Sequence, residues 1–92
     1  MSTDLVHADP RDVRRLATAL QRFEQRITQI SSETYREVGR ANWHDRQKDQ
    51  FEARFKDFHK KTNTFVGNEV SAMVKSLNSL AVALEQAQSQ RF

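Results

Sequence analysis

From Val13 onward, apolar residues return at alternating steps of three and four: Val13, Leu16, Leu20, Phe23, Ile27 and Ile30, with the rhythm carried on through Thr34 to Val38. This is the spacing of a heptad seam, which places all of these side chains along one line of an α-helix and fits no strand. The start of the helix is equally legible. Asp9 can cap the first free backbone N–H groups, Pro10 suits the first helical position, where no N–H is needed, and Asp12 meets the positive end of the helix dipole. A first helix is expected over about 10–41.

A second series runs Phe51, Phe55, Phe58 and Thr62, reaches Phe65 and Val66 side by side, and resumes as Val70, Met73, Leu77, Leu80, Leu84 and Ala87. The step near residues 62–66 is displaced by one position. Gly67 stands there, at a cost of roughly 1 kcal/mol relative to alanine in a helix, so a bend or weak point is expected. Gly39 weakens the end of the first helix, and Asn42 or Asp45 can cap the next. The turn is expected at about 41–45 and a second helix over about 45–88. Two glycines and one proline in 92 residues are too few turn-formers for an all-β fold. The fold class expected is all-α: one domain, an antiparallel helix-turn-helix hairpin that dimerises into a four-helix bundle.

Pivoting the hairpin on Trp43 sets Ile30 level with Phe55 and Phe58, Phe23 level with Phe65, and Val13 level with Met73. Helix one would be about 48 Å long and helix two about 66 Å. Leu77, Leu80 and Leu84 are therefore expected to overhang the start of helix one, with Leu5 and Val6 as the local segment able to fold back over them. Each leucine is worth on the order of 1.5–3 kcal/mol when buried, and one side of each seam stays in water. Association with another chain follows as an expectation. The partner is a second copy or a related hairpin, since apolar seams fit either.

The chain's one tryptophan lies in the turn, in Trp43-His44-Asp45. Its ring can plug the open end of the hairpin while the indole N–H finds an acceptor, or it can be presented outward as a recognition element. Around this motif the sequence resembles the WXG100, or ESAT-6-like, family of small helical hairpins associated with type VII secretion. The resemblance covers nearly the whole chain: a short polar start, VHADPRDVRRLATAL opening helix one, the Trp-centred turn halfway, and Phe51 after Trp43 on the next helix. Trp-His-Asp stands where the family has Trp-x-Gly, and Asp suits a helix N-cap as Gly does. The resemblance implies a dimeric four-helix bundle and a protein-binding role at the turn motif Trp43, His44 and Asp45. It also implies a secretion ATPase or a larger client among the partners. Secreted members carry a Tyr-x-x-x-Asp/Glu signal after helix two; here LEQAQSQRF holds no tyrosine, and Tyr35 lies inside helix one. The expected location is outside the cell without a cleaved signal peptide, or the cytoplasm if the missing signal means that the chain is not exported. The first residues have neither a basic n-region nor an apolar h-region, and no run approaches the roughly 20 apolar residues of a membrane span.

Catalysis has little to work with. His7, His44 and His59 are scattered, and there is no nucleophile triad, phosphate loop or HExxH helix. No enzyme activity and no cofactor are expected. Without cysteine there is no disulfide and no thiolate metal site, and His44 with Asp45 and Asp49 make a poor metal site. The net charge of +3 is spread over both halves. Arg15, Arg22, Arg26, Arg36 and Arg40 follow one flank of helix one, and the pivoted register would gather Arg22 and Arg26 with Lys60 and Lys61 into a basic patch. A solvated face, locally neutralised by Glu24, Asp57 and Glu69, is the simpler reading. An acidic protein partner is the functional one, with nucleic acid behind it because no aromatics interleave with the basic stripe. Phe51, Phe55 and Phe58 are expected to pack in the core near the turn, with an opening groove there as the alternative. Two other functions stay open: a cytosolic nucleic-acid binder, and an adaptor or chaperone whose overhanging leucines meet a helix of a larger secreted client.

Overall fold

The computed structural model describes residues 8–89; Leu5, Val6 and His7 lie outside them. The chain forms two helices, α1 over Pro10–Arg40 and α2 over Arg46–Ser89, and no strand occurs among the described residues. They pack side by side as a hairpin measuring 71 × 19 × 14 Å. Asp9 caps α1, its Oδ1 accepting from the Arg11 N–H at 2.9 Å, with Pro10 in the first turn. Of the two possible caps for α2 the structure uses Asp45, whose Oδ1 accepts from the Lys48 N–H at 2.9 Å. Between the helices the Ala41 N–H bonds the Glu37 carbonyl and the Trp43 N–H bonds the Ala41 carbonyl. No residue of the described turn has positive φ, so its path does not require glycine.

Contact between the helices follows one line of each heptad pattern. On α1 this line is Val13, Ala17, Leu20, Glu24, Ile27, Ser31, Tyr35 and Val38, all buried or half-buried, at steps of three and four. On α2 it includes Phe55, His59, Val66, Val70, Leu77, Ala81 and Leu84. The buried apolar residues, Ala17, Val70, Ala81 and Leu84, all lie in the half away from the turn. Toward the turn the seam is polar and aromatic. Ser31 Oγ meets His59 Nδ1 at 2.5 Å, the Asn63 amide stands 3.5 Å from His59 Nε2, and the Tyr35 ring lies 5.3 Å from the His59 ring and 6.2 Å from Phe55. Asn63 Oδ1 is buried without a partner in this arrangement. The Nε2–H tautomer of His59, with the amide turned so that Oδ1 accepts from it and Ser31 donating to Nδ1, gives both ring nitrogens and that oxygen a partner.

Three expectations are corrected here. Tyr35, not Ile30, is the residue beside Phe55, so α2 sits about one helical turn nearer the bend than the Trp43 pivot gave. Leu77 and Leu80 therefore come level with the first turn of α1, and Leu84, about one turn beyond it, is nonetheless buried. Leu84 is 2% exposed, Leu77 and Leu80 are half-buried, Arg14 clasps Glu85 at 2.7 Å, and Gln88 donates to the Ala8 carbonyl. Nor does Gly67 interrupt the helix, since α2 is continuous from Arg46 to Ser89. Glu24 of α1 lies close over Gly67, and a methyl group added there would meet only its carboxylate oxygen, at an ordinary 3.4 Å. At Gly39 nothing lies within 4 Å.

Gly67→Ala and Gly39→Ala should each therefore stabilise, by about 0.5–1 kcal/mol, because helix propensity rises with no steric loss. Thermal unfolding followed by circular dichroism should show midpoints several degrees higher; a lower midpoint for Gly67→Ala would mean that Glu24 cannot yield.

Candidate protein interface

The heptad positions beside the contact line tell a different story. Leu16, Phe23 and Ile30 repeat every seven residues on α1, and they are 53%, 53% and 58% exposed. On α2 Phe51, Phe58 and Phe65 repeat in the same way, followed by Met73, and they are 45–60% exposed. A step of seven turns a straight helix by only about 20°, so each set stays on one face. The two sets share that face: Phe23 of α1 and Phe58, Phe65 and Met73 of α2 line a single open groove of about 540 Å³, with Val66 and Val70 at its floor and Lys61 and Glu69 among its lining.

Magnitude decides how to read this face. Burying a Leu, Ile, Phe or Met fully is worth about 1.5–3 kcal/mol, so seven such side chains half in water leave about 5–10 kcal/mol ungained. That equals the net stability of a typical domain, about 5–15 kcal/mol. Phenylalanines half out of contact expose on the order of 100 Å² each, and the four on the two helices together already match the largest apolar patch of an ordinary monomer. A second groove mixes polar side chains, Gln21, Glu24, Asn68, Ser71, Lys75 and Asn78, with Val70, Ala72 and Val74, and holds none of these large exposed residues.

These positions revise the reading of the phenylalanine cluster. Only Phe55 packs into the hairpin, against Tyr35; Phe51 and Phe58 touch its ring from the open side, at 6.3 and 5.8 Å. Alternate members of the α1 series also divide: Val13, Leu20 and Ile27 turn to α2, while Leu16, Phe23 and Ile30 do not. Ser31, His59 and Asn63 fall on the apolar spacing, and this was the signal that they sit between the helices.

Trp43 combines parts of both expectations. It is 39% exposed, its ring lies 6.1 Å from Phe51 at the turn end of the open face, and its side chain adds to the hydrogen bonding of the Asp45 carboxylate. That carboxyl is held below its ordinary value first by the Lys48 N–H, then by Trp43 and the Gln47 N–H. His44 is exposed beside it, and no group of three or more acidic or histidine side chains gathers in metal-holding geometry among the described residues.

The corrected register moves Lys60 and Lys61 about one helical turn away from Arg22 and Arg26. Arg22 and Arg26 flank Glu24, which lies at Gly67, whereas Lys60 and Lys61 follow His59 at the level of Ser31. Lys61 is paired within its own helix to Asp57 at 2.8 Å, and Arg15 and Arg40 pair with Asp12 and Glu37. The one cross-helix ion pair of the described residues, Arg14 with Glu85, is bidentate at 2.7 and 2.8 Å. No protein-family model, curated protein or solved structure matches this chain.

The lowered carboxyls set the acid response. Glu85 is depressed mainly by the Arg14 side chain, Asp9 by that of Arg11, and Asp45 as above. A group with a depressed folded pKa stabilises fully above its unfolded value, about 4 for a carboxylate, and that gain is lost as pH falls through the folded value. The unfolding midpoint should stay flat from pH 7 to about 5 and fall below about 4. Asp45→Ala should lower the midpoint at pH 7 by several degrees and flatten the acid fall; an unchanged midpoint would remove the cap from the forces that hold the turn.

Proposed function

We propose that this chain is an ESAT-6-like helical-hairpin protein that acts by binding other proteins, as a substrate or accessory partner of a type VII-like secretion system. One observation carries the reading: large apolar side chains at heptad positions of both helices, Leu16, Phe23 and Ile30 with Phe51, Phe58, Phe65 and Met73, that the hairpin leaves about half exposed, several of them around one open groove. A sister hairpin laid on that face forms a four-helix bundle and buries the rows led by Phe23 and Phe58. Helices spaced in heptads pack knobs into holes against other such helices, so a further hairpin is the partner the spacing fits.

The turn fits the same reading. Asp45 in place of glycine caps α2 with its side chain, in a turn that uses no left-handed residue, so Trp-His-Asp can do the structural work of Trp-x-Gly. Trp43, partly exposed at the end of the apolar face, is then the contact offered to a secretion ATPase or a client. The nucleic-acid alternative is weakened because the register moves its lysines about one helical turn from its arginines. The adaptor reading loses its ground because Leu84 is buried and Leu77 and Leu80 are half-buried within the hairpin.

Phe58→Glu tests the interface. It should leave helicity unchanged, since Phe58 is 60% exposed in the hairpin, and weaken association at least about 30-fold, as loss of a central aromatic anchor does. Trp43→Ala should preserve the bundle and impair export in a host with the secretion system. If export and association both survive Trp43→Ala, the tryptophan has no recognition role.

A further inference from the structure

Asp45 carries more than a helix cap requires. Capping α2 takes one side-chain acceptor, and its Oδ1 already serves the Lys48 N–H at 2.9 Å, while its backbone carbonyl takes the first helical bond, from the Asp49 N–H. Serine or asparagine caps as well, and glycine nearly as well. A carboxylate adds further lone pairs and a charge, and the Trp43 side chain uses them. It hydrogen-bonds this carboxylate, and the indole N–H is the one donor that a tryptophan side chain has. With the Gln47 N–H also contributing, the Lys48 N–H foremost, the donors hold the carboxyl below its ordinary value.

The spacing is one that the link between the helices allows. Side chains two apart do not face each other on a helix, and Trp43 and Asp45 lie between Arg40 and Arg46, outside both helices. Trp43 is tied at two further points. Its backbone N–H bonds the Ala41 carbonyl at 2.8 Å, and its ring lies 6.1 Å from that of Phe51, inclined at 35°. The side chain is nevertheless partly exposed, so the hairpin gains little burial by holding it. Fixing a side chain costs rotamer entropy wherever it is done. A ring held at the open end of an apolar face is ordered in advance of a contact, which spares a partner that cost.

We infer that Asp45 is a positioning residue for recognition at the turn: its carboxylate holds the Trp43 indole N–H and so presents the ring, beside Phe51, in the orientation that a partner meets. This rests on the reading of Trp43 as the contact offered to a secretion ATPase or a client. It gives position 45 a role that glycine has no atoms to fill. In Trp-His-Asp the third residue acts on the first, through a bond to a charged acceptor that is about twice as strong as one between neutral groups.

Asp45→Ser and Trp43→Phe separate the hold from the cap. Serine caps a helix as aspartate does but is shorter and uncharged, and phenylalanine keeps a ring without an N–H. The chain has one tryptophan, so its indole N–H gives a single NMR signal and its fluorescence a single source. In the full chain carrying Asp45→Ser, helicity should be kept and the fluorescence anisotropy should fall. Hydrogen exchange of the indole N–H should quicken about tenfold, the factor for losing a bond to a charged group. Export in a host with the secretion system should drop about 3- to 10-fold, the cost of ordering one side chain on binding.

In a Trp43→Phe background the same serine change should have no further effect on export, because the pair it breaks is already absent. An equal drop in both backgrounds would assign the loss to the cap and refute the positioning role. Indole exchange and anisotropy unchanged by Asp45→Ser would refute the hold itself. A freed indole with full export, in a host where Trp43→Ala stops export, would overturn the positioning role and leave the recognition reading standing. Trp43→Ala exported as fully as the natural chain would overturn that reading and this inference with it.

Discussion

Two helices side by side enclose no volume. A layer 14 Å thick can bury only the line along which the helices touch, so a side chain one heptad position away is open to water on a broad face. The rest of the structure follows from how the sequence fills these two lines. Along the contact line the far half carries small and branched residues, Ala17, Val70 and Ala81, which let the backbones approach. Beside it stand Leu16, Phe23, Ile30 and Phe51, Phe58 and Phe65 of α2, too large and too apolar for a surface with no further purpose.

The hairpin's stability and its specificity come from different halves. Away from the turn, Leu84 and Val70 are almost wholly buried, and the bidentate Arg14–Glu85 pair closes the end. Toward the turn, Ser31, His59 and Asn63 place a polar layer where apolar residues would bury more area. Such a layer stabilises little in net terms, but a slip of one helical turn would leave each of its groups unpaired in the seam, so it favours one register over its neighbours. Gly67 beneath Glu24 adds a steric match to the same alignment. The aromatic stack of Tyr35 on Phe55 and His59 supplies packing where aliphatic burial is thin.

Much of the fold was legible because the signals are local. Steps of three and four mark the helices, and Asp9-Pro10 and Asp45 cap them through bonds within three residues. Register was not legible in the same way, since an apolar seam fits itself again after each turn and the chain's midpoint does not fix the alignment. The level expected for Leu77, Leu80 and Leu84 was about one turn out for that reason. Hydrophobicity also could not say which heptad line faces inward, because Phe23 and Leu20 look alike to a helical wheel. The basic patch depended wholly on register, and the correction moves its lysines about one turn from its arginines.

The measurement that bears most directly on the open apolar face is the absolute mass in solution, by light scattering behind a sizing column, over a range of concentrations and at low and high salt. A face held by apolar burial predicts twice the chain mass at both salts, with dissociation only on strong dilution. A folded monomer at high micromolar concentration, unchanged by salt, would contradict it.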